Sequence, residues 1–440
     1  MLRSFRVANH QSIRDEQELS LLPANDRDRV VVPVAAVFGA NAAGKSSLVN
    51  ALRFMHSAVK LSFATWQPGD GVRRTPFRLA ARSMVEPSLF VVDVLRDWVQ
   101  YVYGFTVDDE KVVDEWLYTY TKRRRRVVFE RSQDHVDLGA APAEDRAKGK
   151  LIVAMTRPNA LFLSTAAASG LPDVMPVYEW FARGLAFLPT ATPTLNATLL
   201  KRLMPGSPDR DTIVDLVRAA DVGISDIRVV DAGWRDRALE AEERASALRA
   251  ELVAASGRRR VELAEQIAYY DWLVALREAR SLHLEFYHGT THAPLSFEHQ
   301  SEGTRAWLAL VLHARAALDT GTVLVVDELD ASLHPRLTSR LIRLFQSRRT
   351  NPRGAQLVFT THDASLLGAV VGERVLERDQ IWFVEKAADG ATALFPLTDF
   401  TTEPDEDIQR RYLGGGFGGV PVVSEVSFRR ALREKEELSS

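Results

Sequence analysis

The chain contains no cysteine in its 440 residues, which removes a disulfide framework and any thiolate metal site. A reducing cytoplasm fits that absence and is the expected location. Long apolar runs are missing too: no stretch approaches the roughly 18 residues a membrane-spanning helix needs. The start, Met1-Leu-Arg-Ser-Phe-Arg-Val, lacks the apolar core of a secretion signal, so no membrane partner is expected. Charge of one sign is scarce, with 56 Lys and Arg against 58 Asp and Glu. The whole chain therefore has no electrostatic footprint for nucleic acid, although a local patch remains open. What is present is ordinary: 46% hydrophobic and 26% charged residues, enough for a sizeable core and a length suited to two or three structural units.

The most informative stretch runs from Val34 to Ser47. Gly39 to Ser46 fits Gly-x-x-x-x-Gly-Lys-[Ser/Thr]. Val34 to Phe38 before it is apolar and partly β-branched, as a buried strand would be. After it, Leu48, Leu52 and Met55 recur at helical spacing within Ser47 to His56. A strand, a glycine loop and a helix make a phosphate cradle. Gly39 and Gly44 let successive N–H groups face phosphate oxygens, and the helix adds the positive end of its dipole. Lys45 is expected to reach the β- and γ-phosphates, and the Ser46 hydroxyl to hold Mg²⁺. Asn41 and Ser47 complete the expected nucleotide contacts, with ATP and Mg²⁺ as the cofactors.

Elsewhere the periodicity changes several times. Leu2 to Ile13 alternates and predicts a strand beside the P-loop strand. A Gly- and Pro-rich loop spans Gln67 to Pro76. Leu89–Leu95, Tyr101–Val107, Glu115–Thr121 and Val127–Arg131 predict an antiparallel meander. Arg123 to Arg126 falls between two of these strands, either as a solvated hairpin turn or as a phosphate-contacting patch. From Asp145 to Val217 the pattern is helical and broken by prolines. Asp221 to Val230 holds a turn and a strand. Asp236 to Arg280 predicts two antiparallel helices of about 20 residues, each roughly 30 Å long, joined at Ser256-Gly257. They form either a short coiled-coil hairpin or two surface helices packed on the body.

Leu282–Tyr287 predicts a strand and Ser301 opens a helix; Val323–Val326, Leu357–Thr360 and Ile381–Glu385 follow as strands with helices between, as in a parallel helix-covered sheet. The tail has a Gly-rich stretch, Gly414 to Gly419, and a charged helix-like end, Ser424 to Leu438. Thr322-Val-Leu-Val-Val-Asp-Glu328 is an apolar strand ending in two carboxylates, at the edge where such sheets bind ligands. Asp327 is expected to hold Mg²⁺ through water, and Glu328 to act as general base on the attacking water. Thr360-Thr-His-Asp363 brings His362 to the same edge as a γ-phosphate sensor. Gln300-Ser-Glu-Gly-Thr-Arg-Ala-Trp307 places Ser301 and Gly303 at a helix N-terminus, a second anion-binding device. Two such devices suit two copies arranged head-to-tail, each closing the other's nucleotide site.

In these motifs the sequence resembles the ABC-type ATPases, in the branch with SMC and RecF proteins. Gly39–Ser46 resembles Walker A, Ser301-Glu-Gly-Thr-Arg the signature motif, and Val323–Glu328 Walker B. Asp330-Ala-Ser-Leu-His-Pro resembles the D-loop, and His362 the switch histidine. More narrowly it is similar to the bacterial ATPases related to OLD and RloA proteins, a group that includes the ATPase subunit of the PARIS immunity system. The matching segments are Phe5-Arg-Val-Ala-Asn-His-Gln-Ser, Ala220-Asp-Val-Gly-Ile-Ser-Asp-Ile, Ser-Glu-Gly-Thr-Arg and Arg411-Tyr-Leu-Gly-Gly-Gly-Phe-Gly-Gly-Val-Pro421. The signature departs from the Ser-Gly-Gly-Gln of transporter subunits, and none of Gln67, Gln100 and Gln133 has the context of a Q-loop glutamine.

The resemblance implies an α/β fold: an ABC/SMC-like P-loop ATPase domain with a parallel core sheet, an antiparallel β subdomain and an inserted helical subdomain with a short coiled-coil hairpin. The expected division is an N-terminal ATPase lobe over residues 1–140, a helical subdomain over 141–235, a helical hairpin over 236–281 and a C-terminal ATPase lobe over 282–440. It further implies an ATP-hydrolysing scaffold that dimerises through an ATP sandwich and controls a separate effector in bacterial anti-phage defence. Too little chain follows His362 for the Toprim nuclease domain of OLD proteins, so a nuclease effector is expected to be another protein. A DNA-repair ATPase of RecF type, with DNA as partner, is the alternative. A transporter energy subunit fits less well, because the insertion between Walker A and the signature is long.

Overall fold

The computed structural model describes all residues except 25–28, 122–123, 140–142, 189–196, 221–222, 232–234, 256–258, 261–262, 264–265, 268, 272–281, 290–292, 371, 404–405 and 421–440. All five residues of the strand Val34–Phe38 are buried. Such an unbroken apolar run belongs inside a sheet covered on both faces. The strand sits in a six-stranded sheet ordered Thr392–Pro396, Ile381–Lys386, Val34–Phe38, Gln356–Thr361, Val323–Val326 and Leu185–Phe187. Every neighbouring pair is parallel except the first, where Thr392–Pro396 folds back antiparallel as an edge. The parallel strands therefore end on one edge, where Gly39, Asp327 and His362 follow.

A second, seven-stranded sheet is antiparallel, in the order Gln17–Ser20, Leu2–Ala8, Ser88–Arg96, Val99–Val107, Val112–Thr121, Arg124–Ser132 and His135–Leu138. This corrects the expectation that the first strand lies beside the P-loop strand. Leu2–Ala8 pairs with Gln17–Ser20 and Ser88–Arg96 instead. Its alternating pattern marks a strand with one covered face, as antiparallel sheets have. It also stops at Ala8; Asn9 and Gln11 both take φ 51, and His10 bridges to Ile13. Of the arginine run, Arg123 lies outside the described residues, and the other three are exposed, as the solvated reading expects, but belong to a strand rather than to the turn. Arg124 to Arg126 open a strand; Arg125 lies 4.1 Å from the Tyr118 ring centre and 3.0 Å from Glu130, and Arg126 pairs with Asp173 at 2.7 Å.

The inner face of this sheet is clamped by a buried carboxylate. Glu115 accepts from the Tyr103 hydroxyl (2.9 Å) and from the N–H groups of Phe162 (2.6 Å) and Leu163 (2.9 Å), with Arg131 at 3.7 Å. It thereby satisfies first-turn donors of the helix Phe162–Ala168 that have no acceptor within the helix. The stretch expected to be wholly helical, Asp145 to Val217, also holds the strand Leu185–Phe187. That strand is three residues long and joins the core sheet through Val323–Val326.

Two compact units emerge: residues 1–187 with 317–330 and 334–440, and residues 188–316 with 331–333. The second contains a small sheet of Ile224–Asp231, Leu282–His288 and Leu295–Ser296. The helix Arg235–Ala254 matches the first arm of the expected hairpin. Most of the second arm lies outside the described residues, although Asp271 pairs with Arg249 at 2.7 Å. The charged stretch Ser424 to Leu438 lies wholly outside them. Among the described residues, no helix is long and apolar enough to cross a membrane.

The first turn of the chain carries a pH-sensitive core residue. His10 packs between Phe54 and Phe90, and neither ring nitrogen has a partner among the described residues. Burial pulls its pKa down from 6.5 to about 4. The unfolded ring takes a proton near 6.5 that the folded ring refuses. This stability is therefore fully present above 6.5 and drains away as pH falls towards 4. By about pH 5 it amounts to a loss of about 2 kcal/mol. The melting temperature of His10→Phe should accordingly fall less between neutral and mildly acidic pH than that of the wild type. His56, half-buried, contributes acid sensitivity to both proteins. Equal falls would contradict this assignment.

Candidate functional site

The glycine loop is built by its neighbours. Gly44 starts the helix Lys45–Thr65 with φ 112, a left-handed backbone. A methyl there would sit 2.1 Å from Thr392 Oγ1 and 2.7 Å from Ser12 Oγ, so conformation and space both demand glycine. The Thr392 hydroxyl donates to the Ala43 carbonyl at 2.9 Å and lies 2.8 Å from Ser12 Oγ. Ser12 Oγ is in turn 2.8 Å from Ser47 Oγ. Ser47, expected among the nucleotide contacts, thus directs its hydroxyl into a buried buttress behind the loop. Asn41 is exposed, while Ser46 is half-buried at the first turn of the helix. The N–H groups of Lys45 and Ser46 have no acceptor within the helix, which leaves them as anion donors.

Lys45 is the buried cation of the site. It is 6% exposed, and its Nζ donates to the carbonyls of Gly39 (2.8 Å) and Ala40 (3.0 Å). Burial lowers its pKa, opposed in decreasing order by the charges of Glu328, Asp330 and Asp327. Those carboxylates follow the fully buried strand Val323–Val326. The turn is held from the next strand: the Thr360 hydroxyl donates to Asp327 Oδ1 (2.6 Å) and accepts from the Glu328 N–H (2.7 Å). The Leu329 N–H then reaches the Thr360 carbonyl at 3.0 Å. Glu328 takes φ 55, unusual for its residue type, and its side chain is exposed.

His362 follows the strand Gln356–Thr361, and its Nε2 donates to Asp330 Oδ2 at 3.0 Å. The other Asp330 oxygen, Oδ1, is buried without a partner among the described residues. An orphaned carboxylate oxygen beside a lysine and two further acids suits a site that takes a polar, hydrated ligand. Ser46 and Asp327 can supply hard oxygen ligands for a divalent cation, and the loop supplies N–H groups for phosphate. This donor set fits a magnesium–triphosphate.

Lys45, Asp327, Glu328 and His362, with the P-loop glycines, all belong to the first unit. Ser301 and Gly303 belong to the second. Ser301 is exposed; its hydroxyl accepts from the Thr304 N–H at 3.1 Å and lies 2.8 Å from Thr304 Oγ1, capping the helix Glu302–Thr320. Gly303 lies in the first turn of this helix, with the Ser332 carbonyl 2.8 Å from where a methyl would be. Sequence reasoning missed Ser12, Thr360 and Thr392 and the bond between His362 and Asp330. Each acts on a residue far away in the chain; Ser12, Thr360 and Asp330 lie in segments the sequence marks, whereas Thr392 has no such signal.

Parallel core sheet, phosphate loop and strand-end acids together define a P-loop domain of the AAA type. Residues 34–368 match the family described as "AAA domain, putative AbiEii toxin, Type IV TA system", and the chain belongs to that family. No curated protein matches it. Three SMC heads are similar among solved structures. The SmcHead bound to the C-winged helix domain of ScpA is 11% identical, covering 90% of this chain and 96% of that one with a TM-score of 0.41. An Smc head with an extended coiled coil, bound to the C-terminal domain of ScpA derived from Pyrococcus furiosus, is 13% identical over 90% and 97%, with 0.38. The SMC head domain from Thermotoga maritima is 12% identical over 90% and 98%, with 0.34. At such scores the site stands on its own geometry.

Proposed function

We propose that the protein binds ATP with Mg²⁺ and hydrolyses it at a site shared by two copies of the chain. The observation that carries this reading is one buried lysine, Lys45, under the influence of three strand-edge carboxylates beside a glycine loop. Lys45 and the loop N–H groups hold the β- and γ-phosphates. Ser46 and Asp327 hold Mg²⁺, whose charge would offset that of the phosphates. Glu328 takes a proton from water as the water oxygen bonds to the γ-phosphorus and the bond to the β,γ-bridging oxygen breaks. His362, steered by Asp330, contacts the γ-phosphate. Ser301 and Gly303 of the second copy close the site. Hydrolysis removes the shared γ-phosphate contacts and loosens the pair, a two-state switch.

The resemblance to OLD- and RloA-related ATPases, and a family description that includes a putative toxin, support a cytoplasmic role in bacterial anti-phage defence. There the switch would hold and release a separate effector, such as a nuclease. The reading as a DNA-repair ATPase has less support, because Arg125 and Arg126 are engaged by Glu130 and Asp173. Phosphate release from ATP, measured over a range of protein concentrations, tests the shared site. Activity per chain should climb with concentration until pairing saturates. Activity per chain that stays constant at every dilution, with a monomer throughout, would reject it.

A further inference from the structure

The segment Arg411-Tyr-Leu-Gly-Gly-Gly-Phe-Gly-Gly-Val has no part in the mechanism above, yet it ends against the phosphate loop. It begins in the helix Ile408–Leu413. Tyr412 is buried; its ring contacts Phe38, the last residue of the P-loop strand, with centroids 6.2 Å apart, and stacks on Phe383 at 5.3 Å. Phe417 stacks on the same Phe383 at 5.2 Å, with the Arg411 guanidinium 4.5 Å from the Phe417 ring centre. The Tyr412 hydroxyl donates to the Gly419 carbonyl at 3.3 Å. This aromatic cluster leads the chain to Gly419, which is buried. A methyl on Gly419 would lie 3.0 Å from the Val384 carbonyl oxygen and 3.7 Å from the Gly39 Cα. Gly39 itself has the same Val384 oxygen 2.6 Å from where its own methyl would be. The two glycines thus share one backbone contact, and the Gly39 carbonyl is an acceptor for the Lys45 ammonium.

We infer that Tyr412–Gly419 is a built part of the nucleotide site, with Gly419 a positioning residue that fixes Gly39 and, through it, the loop and Lys45. The inference rests on the reading of the loop as an ATP site. Backbone contacts around Gly39 leave no flexible side chain to move aside, so a small push at Gly419 is passed to the loop. The neighbouring glycine supplies a matched control. Gly418 and Gly419 both have φ 68, so an alanine at either carries the same backbone strain. They differ in what the new methyl meets. At Gly418 it meets the carboxylate end of the exposed, flexible Glu385 at 2.7 Å; at Gly419 it meets fixed backbone.

Gly418→Ala, Gly419→Ala and the wild-type chain are titrated with a fluorescent ATP analogue and Mg²⁺, and melted without nucleotide. Both variants should lose melting temperature through the shared backbone strain, Gly419→Ala the more because its methyl meets fixed backbone. Only Gly419→Ala should weaken nucleotide binding, by about tenfold, as small misplacements of a binding geometry do. Tyr412→Phe, which keeps the stacking and removes the bond to Gly419, should weaken binding in the same direction but less. Equal affinities for the two alanine variants would overturn the inference while leaving the ATP site standing. A wild-type chain that does not bind the analogue would overturn both, and would be seen before any variant is compared.

Discussion

Glu328→Gln is expected to keep ATP bound and to slow hydrolysis by about a hundredfold or more, the range typical for loss of a positioned general base. The amide keeps the size and hydrogen-bonding reach of the side chain but cannot take the water's proton. The fold should tolerate the change, because the Glu328 side chain is exposed and the turn is fixed through its backbone N–H to Thr360. With hydrolysis blocked, the γ-phosphate contacts persist, and the variant should elute as a dimer with ATP and Mg²⁺. Phosphate release and size-exclusion elution check this together. Hydrolysis at the wild-type rate would remove Glu328 from the mechanism.

Lys45→Ala should lower ATP affinity by about a hundredfold, since charge-assisted hydrogen bonds to phosphate are among the strongest a protein makes. Its effect on the fold should be small. The Lys45 ammonium is buried at a desolvation cost that lowers its pKa, and its partners are two loop carbonyls. Removing it discards that cost along with the bonds. The nucleotide-free melting temperature should therefore hold nearly steady while the ATP-induced rise in melting temperature disappears. An undiminished ATP-induced rise would contradict the assignment. Combined with the loss expected of Gly419→Ala, these results would separate the charge on the loop from the backbone that holds it.

The parts of this molecule legible in its sequence are those whose physics is local. A phosphate loop needs glycines, a lysine and a hydroxyl in consecutive positions, and a buried parallel strand shows as an unbroken apolar run. Hence Val34–Phe38, the loop after it and the strand before Asp327 could be read directly. Alternation exposed five strands of the antiparallel sheet for the same reason. It did not say which sheet Leu2–Ala8 joins, since the partner that ties it to the meander, Ser88–Arg96, lies some eighty or more residues on. Leu185–Phe187 is too short to show a period, and Thr392–Pro396 is an edge strand whose mostly half-buried positions blur its pattern. The supports of the site were hidden for a related reason. Ser12 meets Thr392, Asp327 meets Thr360, and Gly39 meets Gly419 only after the chain has folded. A hydroxyl or a glycine has no periodic signature that names its distant partner.

The shared site is tested most directly by mixing two inactive chains. Lys45→Ala removes the phosphate lysine, and Ser301→Arg blocks the exposed helix tip on the other unit at the cost of a helix cap, about 1 kcal/mol. Each variant alone should hydrolyse almost no ATP. In a mixed pair, the intact loop of one chain faces the intact serine of the other, so hydrolysis should reappear when the two are combined. If the mixture stays as inactive as its components while the wild type turns over ATP under the same conditions, the nucleotide is not held between two copies.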